Sequence, residues 1–313
     1  MNNYITIGEI IKHYRKQNGL SQETLADGIC DRKYLSHIEN DKAIPTLYIV
    51  NQLSTRLGIN LYETYALMLR HHDMDTHKKI EILNQHFNIG AAKQLPNLIE
   101  EYESLEAFQS GEPKQTLLHA KVLFTANILH NTEEAIRLAF EGLSINPQFS
   151  LDIDTKEIHL TNVELNLLLC IMVSYCRLEK LDEGKKYYTF LYNYITNLFS
   201  ISHYATNRNE QFELRFLASL VYNHFIFFKD NDYEITHIDK VLELLKSLHS
   251  NHTLPELLLC KTYLLSRDDN HTAAKKTYSL AHQLGLYLYS EKYQKHIEKT
   301  TLEEYFETLT EWL

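Results

Sequence analysis

The sequence predicts an all-α protein in two parts: a small N-terminal domain of five short helices, and a longer array of stacked helix pairs. Three observations lead there. The 313 residues include only 9 Gly and 5 Pro, so little of the chain is committed to turns. Apolar residues recur at three- and four-residue spacing almost throughout, which is the period of an amphipathic helix. Small residues also recur within similar segments roughly 45 residues apart, as a stacked repeat requires.

Thr6 with Glu9 three residues later is a capping box, and it opens "IGEIIKHYRKQN", whose Ile7, Ile10, Ile11 and Tyr14 form an apolar stripe ended by Gly19. Ser21 caps a second helix from Gln22 to about Gly28, burying Leu25 and Ala26. Asp31 caps a third from Arg32 to about Asn40, burying Leu35 and Ile38. Pro45 and Thr46 start a fourth, "LYIVNQLSTRL", stopped by Gly58, and "LYETYALML" supplies the fifth. Residues 67–78, "LMLRHHDMDTHK", break the apolar period and read as a solvated linker between residues 1–66 and 79–313. Their His71, His72 and His77 share no helical face, so no metal site is expected.

After the linker, "KKIEILNQHF" and "AAKQLPNLIEEYESL" begin the array. In "ANILHNTEEAIRLAFEGLSINP", Ala135, Ala139, Gly142 and Pro147 fall at the spacings of the second helix of a tetratricopeptide repeat. There, small residues admit the neighbouring helix and Pro ends the unit. Tyr175, Gly184 and Tyr188 repeat the form, as do Ala274, Tyr278 and Ala281. We expect a right-handed superhelical, tetratricopeptide-like array of about five hairpins, closed by "TTLEEYFETLTEWL", where Thr301 and Glu304 make another capping box.

Composition excludes several classes of function. The N-terminus lacks the pattern of a signal peptide, and the longest apolar run, "FLASLVYNHFIFF" at 216–228, is too short for a bilayer, so a cytoplasmic protein without membrane association is expected. The four Cys show no C-x-x-C spacing and read as free thiols. There is no Gly-rich phosphate loop, nucleophile elbow or H-E-x-x-H motif, so neither an enzyme nor a cofactor is expected. The net charge is −10, yet residues 1–66 hold seven Lys/Arg and seven Asp/Glu, which places the whole deficit in the array. Non-specific phosphate binding therefore does not belong to the array, while the N-terminal domain can still present a basic edge.

A second and third helix joined by a tight turn is the helix-turn-helix arrangement, in which the third helix enters the major groove. The stretches "GLSQETLADGI" and "YLSHIENDKAIPTLYIVNQLSTRLGI" resemble the Cro and phage-repressor type of DNA-binding domain over about the first 66 residues. The segment between Ala26 and Tyr34 is one residue shorter than in the commonest phage repressors and is similar to the version in peptide-pheromone regulators. On that geometry Arg32 and Lys33 reach guanine edges or phosphates, Tyr34 and His37 lie a turn further along, and Lys42 adds a cation. By resemblance, Gln22 is a phosphate clamp at the start of the second helix. Ser36 and Glu39 are expected to hold the motif together.

Two polar stripes cross otherwise apolar segments of the array and are candidate lining for a concave surface. One is Asn162, Asn166, Cys170, Ser174 and Arg177; the other is Arg215, Ser219 and Asn223. An Asn amide both donates to and accepts from a peptide backbone, and an Arg can hold a carboxylate bidentately. The competing reading is that these groups satisfy neighbouring helix ends. A helix-turn-helix domain joined to such an array resembles the quorum-sensing regulators of the Rgg, PlcR and PrgX type. The "YNH" at 222–224 is similar to a triplet in a peptide-lining helix of that family. The resemblance implies a cytoplasmic homodimer that binds double-stranded DNA at an inverted-repeat operator and responds to a short signalling peptide. The alternative expectation is an array that binds a protein partner.

Overall fold

The computed structural model describes residues 6–71, 74–85, 95–145, 155, 158–201, 210–229, 235–247 and 253–288. All regular structure among these residues is helical, and the chain forms two compact units, Met1–Ala120 and Lys121–Leu313.

The first unit holds α1 (Ile7–Gln17), α2 (Gln22–Ala26), α3 (Arg32–Glu39), α4 (Leu47–Leu57), α5 (Leu61–His71), α6 (Met74–Gln85), α7 (Leu95–Glu103), a 3-10 turn at Glu106–Phe108 and the start of α8 (Gly111–Asn127). The caps are those the sequence predicts. Glu9 N donates to Thr6 Oγ1 at 3.2 Å while Thr6 N donates to Glu9 Oε2 at 3.0 Å, and Gly58 ends α4 at φ 69°. Ile10, Ile11, Leu25, Leu35, Ile38, Val50, Leu53 and Leu61 form one core, each side chain contributing about 1.5–3 kcal/mol by leaving water. Two contacts fasten α1 to α3. A Cβ on Gly8 would lie 1.9 Å from the Ile38 carbonyl oxygen, so only glycine permits this approach. Seven residues on, Arg15 pairs with the fully buried Glu39 carboxylate, Nε to Oε1 at 2.5 Å and Nη2 to Oε2 at 2.8 Å.

Residues 67–78, expected as a linker, are helical at 67–71 and 74–78, the end of α5 and the start of α6. Thr76, Ile80 and Leu83 are buried at four- and three-residue spacing, and Lys79 pairs with Asp75 one turn back. A buried threonine breaks the apolar count without breaking the helix. The first compact unit accordingly continues past position 66. The terminal segment with Thr301 and Glu304, and Pro147, lie outside the described residues.

The second unit carries the end of α8, then α9 (Thr132–Leu143), α10 (Asn162–Arg177), α11 (Leu181–Ile201), α12 (Glu210–Phe228), α13 (Ile235–Ser247), α14 (Leu254–Arg267) and α15 (His271–Leu288). From α9 onward each helix packs on the next, while α10 also packs on α12 and α12 on α14, so α10, α12 and α14 form one layer. The predicted small residues sit where second helices meet first ones. Ala135, Ala139 and Gly142 of α9 and Ala274 and Ala281 of α15 are buried, and a Cβ on Gly184 of α11 would lie 2.4 Å from Cys176 Sγ. The four cysteines are free, Cys176 and Cys260 buried and Cys30 and Cys170 half-buried.

Removing the Glu39 carboxylate leaves the Arg15 guanidinium buried without its counter-charge. Glu39→Ala is expected to cost about 3–5 kcal/mol of N-terminal stability in urea denaturation, and the double variant Arg15→Met with Glu39→Leu to recover most of it. A second expectation concerns two buried imidazoles. Burial depresses His119 to about 4. Burial, then His237 and Lys185, depress His224 to about 3. Both values lie below the 6.5 of a free imidazole, so below that pH the unfolded chain binds more protons than the folded one. Unfolding free energy should fall with acidification by up to about 1.4 kcal/mol per pH unit per histidine. Denaturation at pH 7 and pH 5 measures this, and His224→Phe should flatten the slope.

Candidate DNA-binding face and polar stripes

The turn between α2 and α3 is fixed by local bonds. Ser21 Oγ accepts from Thr24 N at 3.0 Å, Ile29 N and Cys30 N both donate to Ala26 O, and Gly28 takes φ 69°. Asp31 Oδ1 accepts from Tyr34 N at 2.8 Å and starts α3. Leu25 and Leu35, both fully buried, then lock α2 against α3. What remains on the surface is the N-terminal end of α3.

Arg32 and Lys33 are exposed in its first turn, and Lys42 is exposed just beyond its C-terminus. Tyr34 and His37 are half-buried, and Tyr34 Oη donates to Ile44 O at 3.2 Å, which spends its hydroxyl proton within the domain. Gln22 sits at the first position of α2, but its amide nitrogen donates to Glu39 Oε2 at 2.8 Å, so one end of this side chain belongs to the buried network. Glu39 holds the motif together as the sequence suggested. Its partner Arg15 stands four residues after Ile11 on the buried face of α1, a position at which a cation needs a buried counter-charge. Burial pushes the Glu39 carboxyl up, but its bonds to Arg15 and Gln22 outweigh this and hold it below the usual carboxylate range.

In the repeat helices, Thr161 and Glu164 form a capping box at the start of α10, and Asn162 is exposed just after it. Asn166 and Cys170 are half-buried, Ser174 is buried, and the remaining face includes Leu167, Leu168, Ile171 and Met172, all fully buried. Arg177 donates from Nη2 to Asn127 Oδ1 at 2.9 Å and from Nη1 to Ala126 O at 3.5 Å, so it caps the C-terminal end of α8. On α12, Arg215 is exposed while Ser219 and Asn223 are half-buried, flanked by Leu214, Leu217, Ala218, Leu220 and Val221 at 0% exposure. Asn223 Nδ2 donates to Ser219 O at 2.8 Å. The two stripes therefore lie on helices that pack on one another, with Ser174 buried and the other stripe residues half-buried or exposed.

Residues 11–63 match the Helix-turn-helix family. The N-terminal segment is a helix-turn-helix DNA-binding domain. Across the whole chain, the fold is similar to that of Bacillus thuringiensis PlcR in complex with the peptide PapR7 and DNA. That match has a TM-score of 0.66 at 18% identity, covering 94% of this chain and 99% of that one. ComR from S. thermophilus, in complex with DNA and its signalling peptide ComS, matches with a TM-score of 0.56 at 18% identity, covering 96% and 99%. The Streptococcus dysgalactiae SHP pheromone receptor Rgg2 matches with a TM-score of 0.52 at 14% identity, covering 97% and 99%. These likenesses establish the all-α fold of a helix-turn-helix domain followed by helical repeats. A search of curated proteins finds no match to the sequence. Among the described residues, no helix is long and apolar enough to cross a membrane, and no group of three or more His, Cys, Asp or Glu could hold a metal ion.

The exposed first turn of the helix-turn-helix domain's α3 makes a direct expectation. Arg32→Ala should lower affinity for a selected duplex by about 1–3 kcal/mol and relax sequence preference, while Lys33→Ala should reduce the salt slope of binding by about 1. Titrations at several salt concentrations separate the two.

Proposed function

We propose that the protein is a cytoplasmic transcription regulator, a homodimer that binds an inverted-repeat operator and whose DNA binding is controlled by a short signalling peptide. The observation that carries this reading is the half-buried stripe of α12 in a chain that also holds a helix-turn-helix domain. Ser219 and Asn223 are half-buried among Leu214, Leu217, Ala218, Leu220 and Val221, all fully buried, and the Asn223 amide bonds only to the Ser219 carbonyl of its own helix, a bond that it can exchange for one to a peptide backbone. Two of the solved structures of this fold, PlcR and ComR, contain both DNA and a peptide, which supports the same pairing here.

In this reading, residues 1–66 read DNA and residues 79–313 bind peptide and dimerise. Arg32 and Lys33 contact bases and phosphates. Lys42, Tyr34, His37 and Gln22 border the interface, Gln22 also being bonded to Glu39. Asn166 and Asn223 meet the peptide backbone, with Asn162, Ser219 and Arg215 beside them. Arg177 closes the stripe of α10 while bonded to Asn127. Peptide binding shifts the population of array conformers and so re-spaces the two DNA-binding domains.

Asn223→Ala is expected to abolish the response to the small-peptide fraction of culture supernatant while leaving operator affinity without peptide within about twofold. Gel shifts with and without that fraction measure both. Loss of the two together would mark a folding defect and remove the role assigned to Asn223. A response that survives the substitution would do the same. Recovery of one stoichiometric protein partner, with no effect of peptides, would move the array to protein binding.

A further inference from the structure

The last turn of α4 ties three other helices of the DNA-binding domain together. Ser54 Oγ accepts from Leu61 N, at the start of α5, at 3.3 Å, and Leu57 O accepts from Asn18 Nδ2, at the end of α1, at 3.1 Å. Between these two residues, exposed Arg56 reaches back across 29 to 32 positions to the end of α2. Its Nη1 donates to Leu25 O at 3.2 Å, to Thr24 O at 3.4 Å and to Asp27 O. The five residues of α2 include no base in their last turn, so Arg56 supplies the cation that meets the negative end of this helix. The turn that follows is shaped to receive it. Ile29 N donates to Ala26 O at 2.8 Å, with Asp27 at φ −53° and ψ 125° and Gly28 at φ 69°, which is a type II turn. In a type I turn the middle peptide is flipped, and the Asp27 carbonyl would point away from Arg56.

We infer that Arg56 is a positioning residue for DNA recognition, a strap that sets the angle of the α2–α3 pair against α4. Leu25 and Leu35 lock α2 to α3, so holding the end of α2 also holds the exposed first turn of α3, with Arg32 and Lys33. The inference rests on the base-reading role given to that turn above. Because Arg56 is exposed, water replaces it as a donor when it is removed, and little stability is lost. Orientation is what the strap contributes. Base edges accept only a narrow range of side-chain positions, whereas attraction to phosphates tolerates a tilt. Loss of the strap therefore falls on sequence preference and spares non-specific binding.

The test compares, for the full chain, a duplex that the unaltered protein selects from a random pool with an unrelated duplex of the same length. Arg56→Met should weaken binding to the selected duplex about tenfold and to the unrelated one by less than about twofold, with the salt slope and the urea midpoint unchanged. Arg56→Lys keeps a donor of the same charge and should recover most of the loss. A Cβ on Gly28 meets nothing within 4 Å, so Gly28→Ala disfavours only the positive φ, and with it the carbonyl direction that Arg56 needs. Gly28→Ala combined with Arg56→Met removes the same strap twice, so the double variant should bind the selected duplex no more weakly than the weaker single one. Losses that multiply would overturn the inference. So would no loss in Arg56→Met, or a loss that Arg56→Lys fails to recover and that comes with a lower urea midpoint, the mark of a folding defect alone. Equal loss on both duplexes with a smaller salt slope would make Arg56 a phosphate contact instead. If Arg32→Ala kept the preference that Arg56→Met removes, the role of Arg32 would fall and that of Arg56 would stand.

Discussion

Glu39 is 1% exposed, yet its carboxylate collects three side-chain donors: Arg15 Nε and Nη2, and Gln22 Nε2. Those donors come from the end of α1 and the start of α2, and Glu39 itself ends α3. One carboxylate therefore fixes the relation of three helices that share few residues. A charge at this depth is a poor source of stability, because desolvation consumes much of the Coulomb gain. It is a good source of geometry, because a bidentate fork tolerates only one orientation. Arg15 Nη1 also reaches the Leu20 carbonyl at 2.8 Å, which draws the α1–α2 turn into the same network.

The position of that network matters for the face it leaves exposed. Glu39 is the last residue of α3 and Arg32 the first, about 10 Å apart along the axis. Anchoring the C-terminal end from beneath lets the N-terminal turn project two cations without any of them serving the core. The second unit follows the same logic with a different material. His224 stacks on Tyr188 with ring centroids 3.5 Å apart and on Phe228 at 4.4 Å, while Tyr192 stacks on His237 at 4.6 Å. Burial keeps His224 neutral, so it packs as an aromatic disc. These rings tie α11, α12 and α13 together one residue away from Asn223, so the polar stripe of α12 stands on a helix held from behind.

Much of this was legible because it is local. Helix caps such as Thr6 with Glu9, Ser21 and Asp31 act within three residues, and the small residues of α9 declare a close neighbour whatever that neighbour is. What was not legible depends on partners far along the chain. Arg15 finds Glu39 across 24 positions, Gln22 finds it across 17, and Arg177 finds Asn127 across 50. No spacing rule connects such pairs, so the sequence does not show that Gln22 and Arg177 already hold partners within the fold. The helical character of 67–71 and 74–78 is hidden for another reason. Thr76 occupies a core position with a side chain that a hydropathy count scores as polar.

The bonds already made also rank the stripe residues against one another. Arg177 donates to the last turn of α8, so a peptide carboxylate could engage it fully only by uncapping those carbonyl groups. Each group left buried without a partner costs about 1–3 kcal/mol. The bond of Asn223 is to Ser219 O in the preceding turn of its own helix. That carbonyl belongs to the helical ladder and keeps a backbone donor when the amide turns away. Asn223 can therefore exchange its bond for one to an incoming peptide with no group stranded, whereas Arg177 cannot. The bonds of Arg177 thus brace α10 against the end of α8, whereas that of Asn223 leaves its amide exchangeable.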